Sequence, residues 1–196
     1  MHREPPPARA EVDPSAAPLP PELLARARRI RLVVLDVDGV LTDGGIAVAS
    51  DGSETKTFHV RDGHAIKLLQ HAGIEVALVS GRRSAPVVRR AAELGISLVV
   101  QGASDKAASF EAILAARGLE AAEAAGVGDD IVDLPLLRRA GLAVAVADSA
   151  PELAPYVHYV TRAPGGRGAV REVAELILKA QGRWGEVLRR FGGESA

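Results

Sequence analysis

Short apolar runs rich in β-branched residues recur along this chain, each followed by a helical stretch, and that alternation is the strongest constraint on its fold. Strands are predicted at 31–36, 74–79, 97–100, 124–128, 142–146 and 156–160. Helices are predicted at 62–72, 84–94, 105–117, 131–140, near 150–154 and at 168–181, with a further short one from Glu22 to Arg29. A run such as Leu32-Val33-Val34-Leu35 has no alternating polar positions, so both faces of its strand are expected to be covered. Strands of that kind joined through helices make a parallel sheet flanked by helices, an α/β, Rossmann-type architecture. At 196 residues, 47% of them hydrophobic, the chain can bury one sizeable core, so a single domain is expected over 21–182.

Three segments stand outside the alternation. Residues 1–20 are rich in Pro and Ala (Pro5, Pro6, Pro7, Pro14, Pro18 and Pro20) and are expected to form a disordered arm. Residues 183–196, with Trp184, Phe191 and the pair Arg189-Arg190, form a C-terminal tail. Residues 45–60 read as a β-hairpin: Ile46 and Val48 alternate before Asp51-Gly52, a favoured type I′ turn pair, and Thr55, Thr57 and His59 alternate after it. There are no internal repeats.

The polar groups at the strand ends are the second constraint. Asp36-Val37-Asp38-Gly39-Val40 follows the first strand and Ser80-Gly81-Arg82 the second. Gln101-Gly102 follows the third, with Lys106 opening the next helix; Gly128-Asp129-Asp130 ends the fourth, with Asp133 a turn later. In open α/β sheets the carboxyl ends of the strands line the ligand crevice. Two carboxylates at the end of an apolar strand repel each other and resist desolvation, which a divalent cation would offset. One could then serve as ligand and nucleophile while the other acts as general acid and base. Each segment also has a plainer reading: Asp38-Gly39 as a surface turn, Ser80-Gly81 and Asp129-Asp130 as helix caps, Lys106 as a solvated charge. Their joint placement at four strand ends favours one shared site.

As a set, Asp36-x-Asp38-Gly39-Val40, Ser80-Gly81-Arg82, Lys106 and Gly128-Asp129-Asp130-x-x-Asp133 resemble the four motifs of the haloacid dehalogenase-like (HAD) phosphohydrolases. Val60-Arg61-Asp62-Gly63, Gln101-Gly102 and Gly165-Gly166-Arg167-Gly168-Ala169-Val170-Arg171-Glu172-Val173 extend the likeness from about Arg28 to Gly182. Over that length the chain is similar to one branch, the small 3-deoxy-D-manno-octulosonate 8-phosphate phosphatases of lipopolysaccharide synthesis. The resemblance implies an HAD-like sheet with a protruding hairpin in place of a cap domain. It implies that Asp36 attacks the phosphorus and that Asp38 is the acid and base. It assigns Mg²⁺ to the Asp36 carboxylate, the Asp38 carbonyl and Asp129, with Asp130 and Asp133 behind them orienting ligands or holding Lys106. Ser80, Gly81 and Lys106 would bind the phosphoryl oxygens. HAD-type ATPases carry Thr where this chain has Asp38, so Asp38 points to a phosphatase or phosphotransferase.

Substrate choice rests on arginines. A sugar acid carries a carboxylate, which a guanidinium grips in two-pronged fashion. Arg61, Arg82, Arg90, Arg167 and Arg171 are candidates, each also readable as a solvated surface charge. Relatives acting on nine-carbon sialic-type acid 9-phosphates tend to place Glu after the glycine of the second motif, so Arg82 favours the eight-carbon acid. His64-Ala65 departs from the aromatic-glycine usual in the branch, and the glycine-arginine segment is implied to help line the sugar site. In that branch the hairpins assemble a tetramer whose neighbours cover the open site. A homotetramer is therefore expected, since an isolated hairpin is marginal in water. The tail then either stays disordered or reaches an adjacent site.

Composition agrees with this reading and closes others. A net charge of −1 gives no electrostatic case for nucleic acid or an anionic membrane. The absence of cysteine excludes disulfides and thiol catalysis, and no apolar run has signal-peptide or bilayer-spanning length. A cytoplasmic enzyme is expected. His2, His59, His64, His71 and His158 lack zinc-type spacing. Three rivals remain: the same chemistry on a sialic-type nine-carbon acid 9-phosphate; a silent scaffold binding a partner protein, which has no need of Asp36 or Asp38; and a phosphotransferase, which the missing cap disfavours because its acceptor must be kept from water.

Overall fold

The computed structural model describes residues 19–193, so most of the expected N-terminal arm, 1–18, and the last residues of the tail, 194–196, lie outside the described residues. Six strands form one parallel sheet. They are β1 (Leu32–Leu35), β4 (Glu75–Ser80), β5 (Leu98–Gln101), β6 (Ala124–Gly128), β7 (Leu142–Ala145) and β8 (Tyr159–Val160), in the order β5-β4-β1-β6-β7-β8. The chain runs outward from β1 to β5, then returns to place β6 against the other side of β1, with Leu35 beside Val127. That reversal leaves a crevice beyond the carboxyl ends of β1 and β6.

Alternate residues of each strand feed two cores. Val33 and Leu35 join Val76 and Leu78 under α2 (Val60–His71), α3 (Ala85–Leu94), α6 (Ala169–Ala180) and α1 (Pro21–Arg28). Leu32 and Val34 join Ala77, Val79 and Phe110 under α4 (Lys106–Arg117) and α5 (Leu134–Leu137). Both faces of β1 are thus apolar because both are covered, as its unbroken hydrophobic run implies. Among the described residues no helix is long and apolar enough to cross a membrane.

Four expected elements differ. The helix over 131–140 is a 3-10 turn, Ile131–Asp133, and then a single α turn, because Asp130 caps the first and Pro135 lacks the donor to continue it into the second. The segment near 150–154 is a 3-10 helix, Pro151–Tyr156, with Pro155 inside it, and the following strand shortens to Tyr159–Val160. The hairpin pairs only β2 (Ala47–Val48) with β3 (Glu54–Thr55). Its turn is not type I′, which requires positive φ at both central residues: only Gly52 has it, at φ +82. Asp51 instead accepts a bond from the Ser53 amide at 2.9 Å, and Gly52 N–H returns to the Ala49 carbonyl at 2.9 Å, giving a three-residue loop.

The tail continues as α7 (Trp184–Arg190). Its Trp184 lies under the Arg171 guanidinium at 5.1 Å and the Lys179 ammonium at 5.3 Å, and Phe191 meets His64 edge-on at 5.3 Å.

Candidate active site

A cleft of about 630 Å³ opens at the carboxyl ends of β1, β4 and β6, and Asp36, Asp38, Ser80, Lys106 and Asp129 all line it. The strands place these side chains. Asp36 directly follows β1, and its amide donates to the Val127 carbonyl at 3.0 Å, extending the sheet by one bond. Gly39 then turns the chain at φ +95, and a Cβ there would sit 2.0 Å from an Asp129 carboxylate oxygen. Only glycine lets the two motif loops approach this closely.

Lys106 begins α4, where Asp105 caps the helix by accepting from the Ala108 amide at 3.0 Å. Its ammonium reaches inward to Asp36 Oδ1 at 2.6 Å and to Asp133 Oδ1 at 2.5 Å. The other oxygen of Asp133 accepts from the Asp129 amide at 3.0 Å, so this buried carboxylate fixes both the lysine and the loop carrying Asp129. Asp130 is exposed and accepts from the Ile131 amide at 2.7 Å. Ser80 is buried at the end of β4, and its hydroxyl accepts from the Arg82 amide at 3.2 Å.

Oxygens of Asp36, Asp129 and Asp133 lie within 4.8 Å of one another. One ammonium faces these three carboxylates. Burial, then the Asp133 charge, raises Asp36 to about 6 against the pull of Lys106. Burial, then Asp36 and Asp133, raises Asp129 to about 7. Burial works to lower the Lys106 ammonium, but the two carboxylates overcome it and raise it. A hard, all-oxygen cluster short of positive charge fits a divalent cation such as Mg²⁺.

Of the five candidate arginines, Arg82 alone lines this cleft, with Nε 3.6 Å from Asp38 Oδ2. Arg90 pairs with Glu93 at 3.1 Å and lies over the Phe58 ring in a second depression beside the hairpin. Arg61 is exposed on the first turn of α2. Arg167 pairs with Asp43 at 3.5 Å, and Arg171 with Glu175 at 2.7 Å. The glycine segment lies behind the Asp36 loop and does not line the cleft of this chain. Gly166 N–H donates to the Val40 carbonyl at 2.9 Å, and a Cβ on Gly165 would stand 1.7 Å from the Gly39 carbonyl oxygen. Asp62, buried in α2, anchors the segment by accepting from the Gly168 and Arg171 amides at 3.0 and 2.8 Å.

Lys56 joins the site although sequence reasoning passed over it. Just past the end of β3, the Lys56 ammonium bonds Asp38 Oδ1 and Glu54. Its only signal was a cation inside an alternating hairpin strand, which reads as a solvated edge.

The haloacid dehalogenase-like hydrolase family matches residues 53–141. The class is therefore a hydrolase built on the HAD sheet. Over 172 residues the chain is 46% identical to the 3-deoxy-D-manno-octulosonate 8-phosphate phosphatase of Yersinia pestis, covering 88% of this chain and 92% of that one. It is 47% identical over 169 residues to the enzyme of the same name from Escherichia coli strain K12, covering 86% and 90%. The phosphatase of Moraxella catarrhalis, solved in complex with magnesium ion, phosphate ion and a KDO molecule, superposes with a TM-score of 0.85 at 42% identity, covering 87% of this chain and 98% of that one. The chain belongs to the 3-deoxy-D-manno-octulosonate 8-phosphate phosphatase family.

Proposed function

We propose that this protein hydrolyses 3-deoxy-D-manno-octulosonate 8-phosphate to the free sugar acid and phosphate, with Mg²⁺ as cofactor. The observation that carries the reading is the buried Lys106 ammonium between Asp36 and Asp133, at the strand ends where Asp38 and Asp129 also face the cleft. Asp36 attacks the phosphorus in line and takes the phosphoryl group as an aspartyl-phosphate. Asp38 gives its proton to the departing sugar oxygen, then takes one from the water that hydrolyses the intermediate. Lys106 and the Ser80 and Gly81 segment bind the phosphoryl oxygens as their charge shifts. The Asp36 carboxylate, the Asp38 carbonyl and Asp129 are the residues to hold Mg²⁺, with Asp133 and Asp130 bracing their loop. When bound, the ion neutralises phosphate charge and the repulsion among these carboxylates.

Arg82, at the mouth of the cleft, is the arginine best placed to meet the sugar carboxylate. Ile46, Val48 and Val60 are 53%, 64% and 79% exposed on and beside the hairpin, and these exposed apolar side chains support a homotetramer built through it. Arg61, Arg90, Arg167 and Arg171 would then meet substrate only where a neighbouring copy brings them to a site.

The test is phosphate release from a panel of sugar phosphates, with Mg²⁺ and with chelator, beside Asp36→Asn. Metal-dependent release from the eight-carbon acid, absent in the variant, is expected. Release only from a nine-carbon acid 9-phosphate would keep the chemistry and move the substrate. No release from any ester by folded protein would leave a scaffold.

A further inference from the structure

The hairpin does more than project from the sheet. After Thr55 it brings Lys56, which lines the second depression beside the hairpin, against Asp38, and the ammonium bonds Asp38 Oδ1. On the other side, Arg82 Nε stands 3.6 Å from Asp38 Oδ2. Glu54 ties the two cations together, accepting from Lys56 at 2.8 Å and from Arg82 at 3.3 Å. Asp38 is thus gripped at both oxygens, by one residue from the hairpin and one from the loop after β4. A proton donor must meet the leaving oxygen in a narrow range of geometry, and small misplacements of such groups are costly. Asp38 stands on a loop beside Gly39, which turns the chain at φ +95.

We infer that Lys56 is a positioning residue for Asp38, so that the hairpin carries part of the acid-base machinery. This rests on the phosphatase reading. Lys56 bonds Asp38 and Glu54, so it acts on the reaction through Asp38.

The consequence is selective. An alkoxide leaves poorly without a proton, whereas a nitrophenolate leaves readily without one. Removing Lys56 therefore harms alkyl phosphate esters and spares aryl ones in the step that expels the leaving group, which kcat/KM reports. The experiment measures kcat/KM for the eight-carbon sugar acid phosphate, for any other sugar phosphate the wild type hydrolyses, and for p-nitrophenyl phosphate, in Lys56→Met and Lys56→Arg. Molar mass is followed by light scattering. Lys56→Met is expected to lose about 10- to 100-fold on the sugar esters, a share of the effect of a general acid, and less than about 3-fold on the aryl ester. Lys56→Arg should recover most of the loss, because it restores a cation at the same place.

Equal losses on both ester types, or a loss that follows a change in mass, would overturn the inference and leave Lys56 a structural ion pair. So would an unaltered Lys56→Met. A wild type active on aryl and other sugar esters, but not on the eight-carbon acid, would sink the substrate reading and still test Lys56. Inactivity on every ester would overturn both.

Discussion

At the scale of single residues, Asp36 and Asp133 both contact the same lysine yet have different tasks. Asp36 faces the cleft and is the only proposed nucleophile, so Asp36→Asn should abolish phosphate release. Asp133 holds Lys106 and the Asp129 amide from behind. Asp133→Asn should lower turnover by about 10- to 100-fold, as loss of a bracing partner does, and a metal titration should show weaker Mg²⁺ binding. Unchanged turnover in that variant would remove the bracing role. The pair D-x-D was legible from sequence because two acids ending an apolar strand have no packing reason to be there. Lys56 was not, since a cation in a two-strand ribbon usually faces water, and its contact with Asp38 spans 18 positions.

His158 shows the same limit away from the site. Its Nδ1 accepts the Ala143 amide at 2.9 Å, which requires a neutral ring, and burial, then the Arg26 charge, lowers its affinity for a proton. The unfolded chain therefore binds this proton first, and stability is lost as pH falls below the unfolded value of about 6.5. His158→Gln cannot titrate, so the stability gap between wild type and variant, read by urea unfolding, should narrow from about pH 7.5 to pH 5. A constant gap would show that His158 takes up its proton equally in the folded and unfolded chain. The spacing of the histidines excluded zinc but gave no sign of this contact.

At the scale of elements, the strand and helix alternation read from sequence is the alternation observed, and its errors have local causes. Pro135 and Pro155 shorten segments whose apolar pattern alone looked helical or extended. The glycine-arginine segment, implied by the resemblance to help line the sugar site, supports the Asp36 loop from behind in this chain. Gly165→Ala tests that arrangement, since its Cβ would collide with the Gly39 carbonyl. We expect a loss of about 1–3 kcal/mol in unfolding free energy, as for overpacking, with a fall in kcat as the loop shifts. A variant with native stability and native kcat would show that the two loops are not rigidly packed.

At the scale of the whole molecule, the open cleft and the exposed apolar hairpin belong together. Val48→Glu should convert the proposed tetramer to a smaller species on light scattering, because a buried charge at an interface is costly. An unchanged mass would place any assembly elsewhere. What the sequence determined by itself was the sheet, its covered faces and the chemistry at its strand ends. Those follow from periodicity and from acids placed where apolar strands stop, both local properties of the chain. The tertiary structure alone decided which groups meet. Lys106 is 70 positions from Asp36 and 27 from Asp133, and Asp62 lies 106 positions from Gly168. Contacts across such separations are set by the return of the chain beside β1, and by side chains bending out of the pattern they sit in, which no local period records.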